Sequence, residues 1–242
     1  MKAFAAMLLS MLAGCAVPAV QETPASGGTY GTLLADPVRT DRDRTMDASR
    51  HPAQLLQFAQ VRRGMRVLDV SAGAGYTSQL LALAVGPSGQ VWAQAPMPGA
   101  ALTGRIAAHP QLNLVVVSRP FEDPVPPDAP PLDLVTLVLN YHDISYLPVD
   151  RDAMNRKIFA ALKPGGHYVI VDHAAVAGTG ITAGKTLHRI DEAFVIEEVK
   201  RAGFALEAEG AFLRNAADNR EGSSNRADPP SDKFALRFVR KP

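Results

Sequence analysis

The stretch VLDVSAGAGYTSQLLA, residues 67–82, decides the fold class. A short apolar run that contains Asp69 leads through the turn Ser71–Gly75 into a segment with apolar residues at helical spacing. Glycines let a backbone approach a ligand closely, and the first turn of a helix offers unpaired N–H groups to it. A Gly-x-Gly pair alone is weak evidence, but its place between a strand and a helix indicates the first unit of a nucleotide-binding sheet.

Apolar runs and helical patterns alternate along the rest of the chain. Strands are expected over 66–70, 90–95, 112–118, 132–140 and 168–171, and a terminal hairpin over 204–213 and 233–240. Helices are expected over 52–60, where Asp47-Ala48-Ser49 would form the cap, and over 76–85, 100–109, 150–162 and 191–202. This rhythm predicts an α/β fold with a doubly wound, mostly parallel sheet. Right-handed crossovers then place the loops that follow the strands on one edge, where such folds bind ligands.

Composition limits the function classes. The 242 residues suit one α/β domain, and 25 basic against 24 acidic residues give a net charge of +1. No run of like charge stands out, so nucleic acid is not expected as a partner, and the oligomeric state stays open.

The first residues resemble a bacterial lipoprotein signal. One lysine and a short apolar run precede Leu-Ala-Gly-Cys at residues 12–15, and Cys15 is the only cysteine. We therefore predict a signal peptide over 1–15, lipidation of Cys15, a flexible tether over 16–40 and a folded domain over 41–242. Because Ala16 is not aspartate, the resemblance implies an extracytoplasmic protein of the periplasm that is anchored by lipid to the outer membrane. An ordinary signal peptide or an uncleaved apolar start is the plainer alternative.

Three segments together resemble the Rossmann-like, class I S-adenosylmethionine-dependent methyltransferases. They are VLDVSAGAG, LDLVTLVLN at 132–140 and ALKPGGHYVIVDH at 161–173. The resemblance implies a seven-stranded sheet with an antiparallel C-terminal strand, S-adenosylmethionine as cofactor, and methyl transfer to a small molecule. The segments VDHAA at 171–175, LHRIDEA at 187–193 and DKFALRFVRKP at 232–242 are similar to a group of predicted extracytoplasmic methyltransferases. The residues expected around the cofactor are Asp69, Ser71, Gly73, Gly75, Gln94 and Asn140.

Two of these positions depart from the family pattern. Ser71 replaces the first glycine of the turn, and serine can be accommodated there if its φ is negative. The second strand ends without the acidic residue that binds the ribose hydroxyls in this family. Gln94 is the available acceptor there, and a neutral acceptor forms a weaker hydrogen bond than a carboxylate.

Histidines and aspartates follow the fourth and fifth strands. We predict His142 as the catalytic base, His173 as the second choice, and Asp143 or Asp172 as the residue that orients the imidazole. Substrate is expected to contact Tyr141, His188 and Arg189. The plainer alternative is that these residues cap strand ends and begin a helix.

Other functions remain open on the same residues. The histidines and aspartates also suit a divalent cation, but no HxH or HExxH spacing is present, so no metal ligand is predicted. A binding module for another ligand, or a metal-assisted enzyme, is the alternative to methyl transfer. The arginines of residues 41–50 are expected on a solvated face, and a lid role for that segment stays open.

Overall fold

A computed structural model describes residues 30–241, and these contain one seven-stranded sheet. The strands are β1 (Arg66–Val70), β2 (Gln90–Ala95), β3 (Leu114–Ser118), β4 (Leu132–Val138), β5 (Leu162–His173), β6 (Ala205–Gly210) and β7 (Lys233–Val239). Their order is β3-β2-β1-β4-β5-β7-β6, with β7 antiparallel to both of its neighbours. The predicted fold class, a mostly parallel sheet with an antiparallel C-terminal strand, is confirmed.

Helices cover both faces of this sheet. They are α1 (Gly31–Leu34), α2 (Asp41–Arg50), α3 (Pro52–Phe58), α4 (Tyr76–Val85), α5 (Ala100–Ala108), α6 (Tyr141–Ser145), α7 (Arg151–Ala161), α8 (Gly184–Leu187) and α9 (Glu192–Arg201). Successive strand residues point to opposite faces, so Val67 packs with α3, α4 and α5 while Leu68 packs with α7 and α9. Two apolar cores therefore enclose the sheet, which explains the continuous apolar run of β4.

Strand five is longer than its apolar run. Predicted over 168–171, it begins at Leu162 and includes the Lys163-Pro164-Gly165-Gly166 turn residues. Gly165 has φ +79, and a Cβ at Gly166 would lie 2.9 Å from the Lys163 carbonyl oxygen. These glycines allow an irregular start beside β4, where the pairing register shifts between Leu132 and Leu134.

The folded part begins before the predicted boundary at residue 41. Helix α1 lies within the segment interpreted as tether, and the side chains of Tyr30 and Leu33 pack against the core. Thr40 is the N-cap of helix α2, and its side chain and that of Asp43 form a capping box. The predicted cap at Asp47-Ala48-Ser49 is therefore wrong, because those residues lie inside α2.

Residues 30–241 contain no helix that is long and apolar enough to cross a membrane. The predicted signal peptide, Cys15 and the first part of the predicted tether lie outside the described residues.

Candidate functional site

The glycine turn lies where the strand order reverses. After β1 the chain moves outward to β2 and β3, and later strands continue from β4 on the other side, so the loops after β1 and β4 face each other. Ser71 has φ +58, Gly73 has φ +56 and Gly75 has φ +83. The condition of a negative φ at Ser71 is not met, because the residue adopts the left-handed conformation that favours glycine.

A hydrogen bond stabilises Ser71 in that conformation. Its hydroxyl donates to Asn140 Oδ1 over 2.5 Å, which joins the glycine turn to the residue after β4. Asn140 thus lies beside the turn as predicted, and its amide nitrogen donates to Asp143 Oδ2 over 3.2 Å.

Asp69 is almost completely buried below the turn. Its carboxylate accepts hydrogen bonds from Ser78 Oγ at 2.5 Å and Thr136 Oγ1 at 2.7 Å. Burial raises the pKa of Asp69 to about 6, against the lowering effect of the two hydroxyl groups and of Arg50. The residue therefore organises the base of the turn and also borders the cleft above it.

Gln94 does not face a ligand. Its side chain is fully buried, Oε1 accepts from the Ser71 backbone N–H at 2.9 Å, and Nε2 donates to the Arg119 carbonyl at 2.7 Å. Both ends of the amide are thus bound to backbone groups. The predicted contact with a ribose is corrected here to a structural one: Gln94 ties the glycine turn to the end of β3.

A cleft of about 610 Å³ opens above the turn. Helix α2 forms one wall, and the other walls are the turn, α5 and the residues after β4. The polar lining residues are Thr40, Arg42, Arg50, Asp69, Ser71, Tyr76, Thr77, Arg105, His109 and Asn140. This volume lies within the range of small-molecule sites.

Helix α2 is fastened over the turn by a buried ion pair. Arg105 of α5 donates two hydrogen bonds to the Asp43 carboxylate, both at 2.8 Å. The same guanidinium donates to the Ala74 carbonyl in the turn and to Gln79 Oε1, both at 2.7 Å. Burial raises the pKa of Asp43, but Arg105 and Thr40 outweigh it and lower that pKa to about 2. Residues 41–50, for which the sequence left a lid role undecided, thus form a wall of the cleft.

Arg50 is the cleft residue that sequence reasoning missed. Predicted on a solvated face, it is half-buried, and its guanidinium lies 5.0 Å from the centre of the Tyr76 ring. Among residues 30–241, no hydrogen-bond or ion-pair partner holds this cation. Lys233, which is buried, lies with Arg50 on a small apolar recess below the cleft. Periodicity gave no signal for this, because α2 is polar along most of its length.

Three histidines converge at the ends of β4 and β5. The His142 ring lies 5.7 Å from that of His173 and 5.6 Å from that of His188, between ring centres. His142 Nδ1 lies 2.6 Å from Asp172 Oδ1, and His142 Nε2 lies 3.3 Å from Asp143 Oδ1. The predicted convergence therefore occurs in the structure, and Asp172 is positioned to orient the His142 imidazole.

The two candidate bases differ in their electrostatic surroundings. Burial lowers the pKa of His142, but hydrogen bonds to Asp143 and Asp172 outweigh it and raise that pKa to about 9. Burial lowers the pKa of His173 to about 4, and its Nδ1 lies 2.8 Å from Ser231 Oγ. At neutral pH His142 therefore carries a proton and His173 is neutral.

Two predicted substrate residues are structural instead. Tyr141 is fully buried, and its hydroxyl donates to Glu198 Oε2 at 2.7 Å. Arg189 is also fully buried, where Asp218 and two backbone carbonyls accept its hydrogen bonds. These two expectations are corrected because neither side chain reaches a surface. His188 is half-buried, and its Nδ1 lies 3.2 Å from Asp143 Oδ1.

Part of the chain matches known proteins in sequence. The sequence model of the protein-L-isoaspartate(D-aspartate) O-methyltransferase family matches residues 32–98, from α1 to just beyond β2. A protein-L-isoaspartate O-methyltransferase of Ignicoccus hospitalis is 26% identical over 148 residues, which are 55% of this chain and 70% of that protein.

Solved structures share the fold. An S-adenosylmethionine-dependent methyltransferase from Aquifex aeolicus superposes with a TM-score of 0.61 at 18% identity, over 86% of this chain and 95% of its own. Fibrillarin of Aeropyrum pernix, solved with bound S-adenosylmethionine, superposes with a TM-score of 0.51 at 12% identity, over 74% and 68%. The chain therefore has the fold of the class I S-adenosylmethionine-dependent methyltransferases.

The cleft fits S-adenosylmethionine, which the Aeropyrum pernix neighbour binds. The cleft has the volume for a nucleoside with an amino-acid arm, the turn presents backbone groups, and Arg50 is a cation without an anionic partner. The ribose end differs from the family pattern, because β2 ends in Ala95 and the neighbouring Gln94 is engaged with backbone.

Proposed function

We propose that the chain transfers the methyl group of S-adenosylmethionine to an acceptor placed at the three-histidine cluster, which we define as His142, His173 and His188. One observation supports this most. Asn140 accepts a hydrogen bond from Ser71 in the glycine turn and donates one to Asp143. Asp143 in turn contacts His142 and His188 of the cluster, so one side chain connects both halves of the site. Methyl transfer by in-line displacement depends mainly on the positioning of the acceptor relative to the cofactor, and the hydrogen bonds of Asn140 would fix the two parts of the site relative to each other.

Arg50 would hold the carboxylate of the cofactor's methionine arm. A guanidinium without an anionic partner at the cleft wall favours a carboxylate ligand, and stacking on Tyr76 restrains its orientation. Gly73 and Gly75 would let the turn backbone approach that arm. The bound cofactor supplies an activated methyl group on a sulfonium, and the protein's residues supply orientation and exclude water.

His173 is the better placed base of the two predicted histidines. Both ring nitrogens of His142 face carboxylates, whereas His173 Nδ1 faces the Ser231 hydroxyl. No residue among 30–241 occupies His173 Nε2. A histidine with one free nitrogen is suited to take a proton from a hydroxyl or amine as the methyl group arrives.

The acceptor we propose is a small molecule with such a group. A carboxyl group of a peptide is the second candidate, since the matching family and the curated relative are both protein-L-isoaspartate O-methyltransferases. A carboxylate acceptor is already ionised, so it needs no base but needs a cation. The buried Lys233 beside Arg50 is a cation of that kind.

We also propose that the protein is extracytoplasmic and anchored to the outer membrane through an acylated Cys15. The support is the sequence Leu-Ala-Gly-Cys after a short apolar run. Labelling of cells with an alkyne fatty acid should tag the wild-type chain, and Cys15→Ser should remove the tag. Tagging that survives the substitution would reject the anchor.

Calorimetry and product release test the proposed function. S-adenosylmethionine should bind the full chain, and Arg50→Ala should weaken it about tenfold or more, since a charged hydrogen bond contributes about 1.5–3 kcal/mol. Arg156→Ala, an exposed arginine on α7, is the matched control and should leave affinity unchanged. Release of S-adenosylhomocysteine is then measured with hydroxyl, amine and isoaspartyl-peptide acceptors.

The base is tested in the same assay. His173→Ala should lower turnover of a hydroxyl or amine acceptor with little change in cofactor affinity, and should spare a carboxylate acceptor. Absence of heat with millimolar S-adenosylmethionine, or turnover unaffected by His173→Ala on a hydroxyl acceptor, contradicts the proposal.

A further inference from the structure

Ligand atoms of His142, Asp143 and His188 converge on one point. One potential ligand atom from each lies within 4.8 Å of the other two. Asp143 Oδ1 is 3.3 Å from His142 Nε2 and 3.2 Å from His188 Nδ1. Two ligands that each lie about 2.1 Å from a tetrahedral ion are about 3.4 Å apart, so these separations match those around a bound cation.

Buried groups behind these atoms hold them in place. Asp172 is completely buried, and its carboxylate faces His142 Nδ1 at 2.6 Å while accepting the backbone N–H groups of His142 and His173. This contact keeps a proton on Nδ1 and directs Nε2 toward Asp143. Binding of an ion at Nε2 releases the proton that this nitrogen carries toward Asp143 in the metal-free protein. A histidine backed by a carboxylate in this way is the arrangement that proteins use to orient and strengthen a metal ligand.

The third group is oriented as well. Asp143 Oδ2 accepts a hydrogen bond from Asn140, so Oδ1 is the oxygen that faces the two imidazoles. The Tyr146 hydroxyl also donates to Oδ1, at 3.0 Å. Two imidazole nitrogens and one carboxylate oxygen suit a divalent transition metal better than magnesium or calcium, which prefer oxygen ligands.

We propose that His142, Asp143 and His188 bind one divalent transition-metal ion. Three protein ligands leave coordination positions open, and Asn140 places these positions next to the glycine turn. The role we assign to the ion rests on the proposed function: an oxygen of the methyl acceptor occupies an open position and is thereby held toward the cofactor cleft. The spacing of the sequence did not predict this site, because Asp143 and His188 are 45 residues apart.

Metal titration without cofactor tests the site independently of methyl transfer. The full chain, stripped with a chelator, is titrated with Zn²⁺ and separately with Mg²⁺ by calorimetry, and with Co²⁺ by visible absorption. We expect one Zn²⁺ per chain, no comparable binding of Mg²⁺, and Co²⁺ bands typical of nitrogen and oxygen ligands.

Substitutions then locate the ion. His188→Ala and Asp143→Asn, both at half-buried positions, should each weaken Zn²⁺ by about 100-fold, and Asp172→Asn by about 10- to 100-fold. His167→Gln is the control and should leave the affinity unchanged, because His167 lies in the middle of β5, six residues before His173. Circular dichroism verifies that each variant is folded.

The outcomes are separable. Failure of the wild-type chain to bind Zn²⁺ or Co²⁺, or binding that survives both His188→Ala and Asp143→Asn, overturns the metal site whatever the methyl-transfer assay gives. Metal binding that these variants abolish, without release of S-adenosylhomocysteine, supports the site and rejects the proposed function.

Discussion

Replacement of Asp43 by asparagine tests whether α2 is held over the cofactor cleft by its ion pair. Asp43→Asn keeps the shape of the side chain and an oxygen for the capping box, but it removes the charge that faces Arg105. Both side chains are largely buried, so solvent screens this pair less than a surface pair.

The magnitude follows from the pKa of Asp43. Its value in the folded protein, about 2, is lower than the ordinary 3.8, and each pKa unit corresponds to about 1.4 kcal/mol. The ionised carboxylate therefore contributes about 2 kcal/mol to the free energy of unfolding at pH 7. Because the folded pKa is the lower one, this contribution is complete above about pH 5 and declines as the pH falls from about 4 toward 2.

Urea unfolding at pH 7, 4 and 3 measures this difference, with Trp92 as the single tryptophan probe. Asp43→Asn should lower the free energy of unfolding by about 2 kcal/mol at pH 7, and the gap to wild type should narrow at pH 3. Asp41→Asn, an exposed acid in the same first turn, is the control and should cost under about 0.5 kcal/mol. The reasoning would be refuted if Asp43→Asn lowered the free energy of unfolding only as much as Asp41→Asn, or by an amount that did not change with pH.

Three further substitutions test the turn and the buried polar groups. Both Ser71→Gly and Ser71→Ala lose the hydrogen bond of the hydroxyl to Asn140. Only Ser71→Gly also relieves the strain of the left-handed backbone conformation. In urea unfolding, the glycine variant should therefore be at least as stable as the alanine variant. Gly75 has φ +83, and a Cβ at this position would lie 2.8 Å from Leu102 Cδ1, so Gly75→Ala forces the turn to shift. The substitution should reduce the affinity for S-adenosylmethionine by more than tenfold, as measured by calorimetry. Tyr141→Phe should cost about 1–3 kcal/mol of stability, since the hydroxyl that donates to Glu198 is lost, and should leave cofactor affinity unchanged.

The local pattern of apolar residues and glycines was sufficient to predict most strands and helices of the fold. The strands over 66–70 and 90–95 and the helix over 76–85 have the predicted bounds, because apolar periodicity and glycine turns act within a few residues. The predicted strand over 168–171 was shorter than β5, because the first half of β5 contains proline and glycines, which weaken a strand pattern. The meeting of His142 and His173 was predictable because parallel strands end at one edge.

The sequence by itself determined the sheet, the glycine turn and the edge at which polar groups gather. Only the tertiary structure decided what each side chain contacts: Gln94 binds backbone instead of ligand, Arg189 is buried with Asp218, and Arg50 faces the cleft. The physical reason is that these contacts join residues far apart in the chain, as Asp43 and Arg105 are at a separation of 62. A residue's type and spacing reveal its chemistry, whereas its partners are set by how distant elements pack.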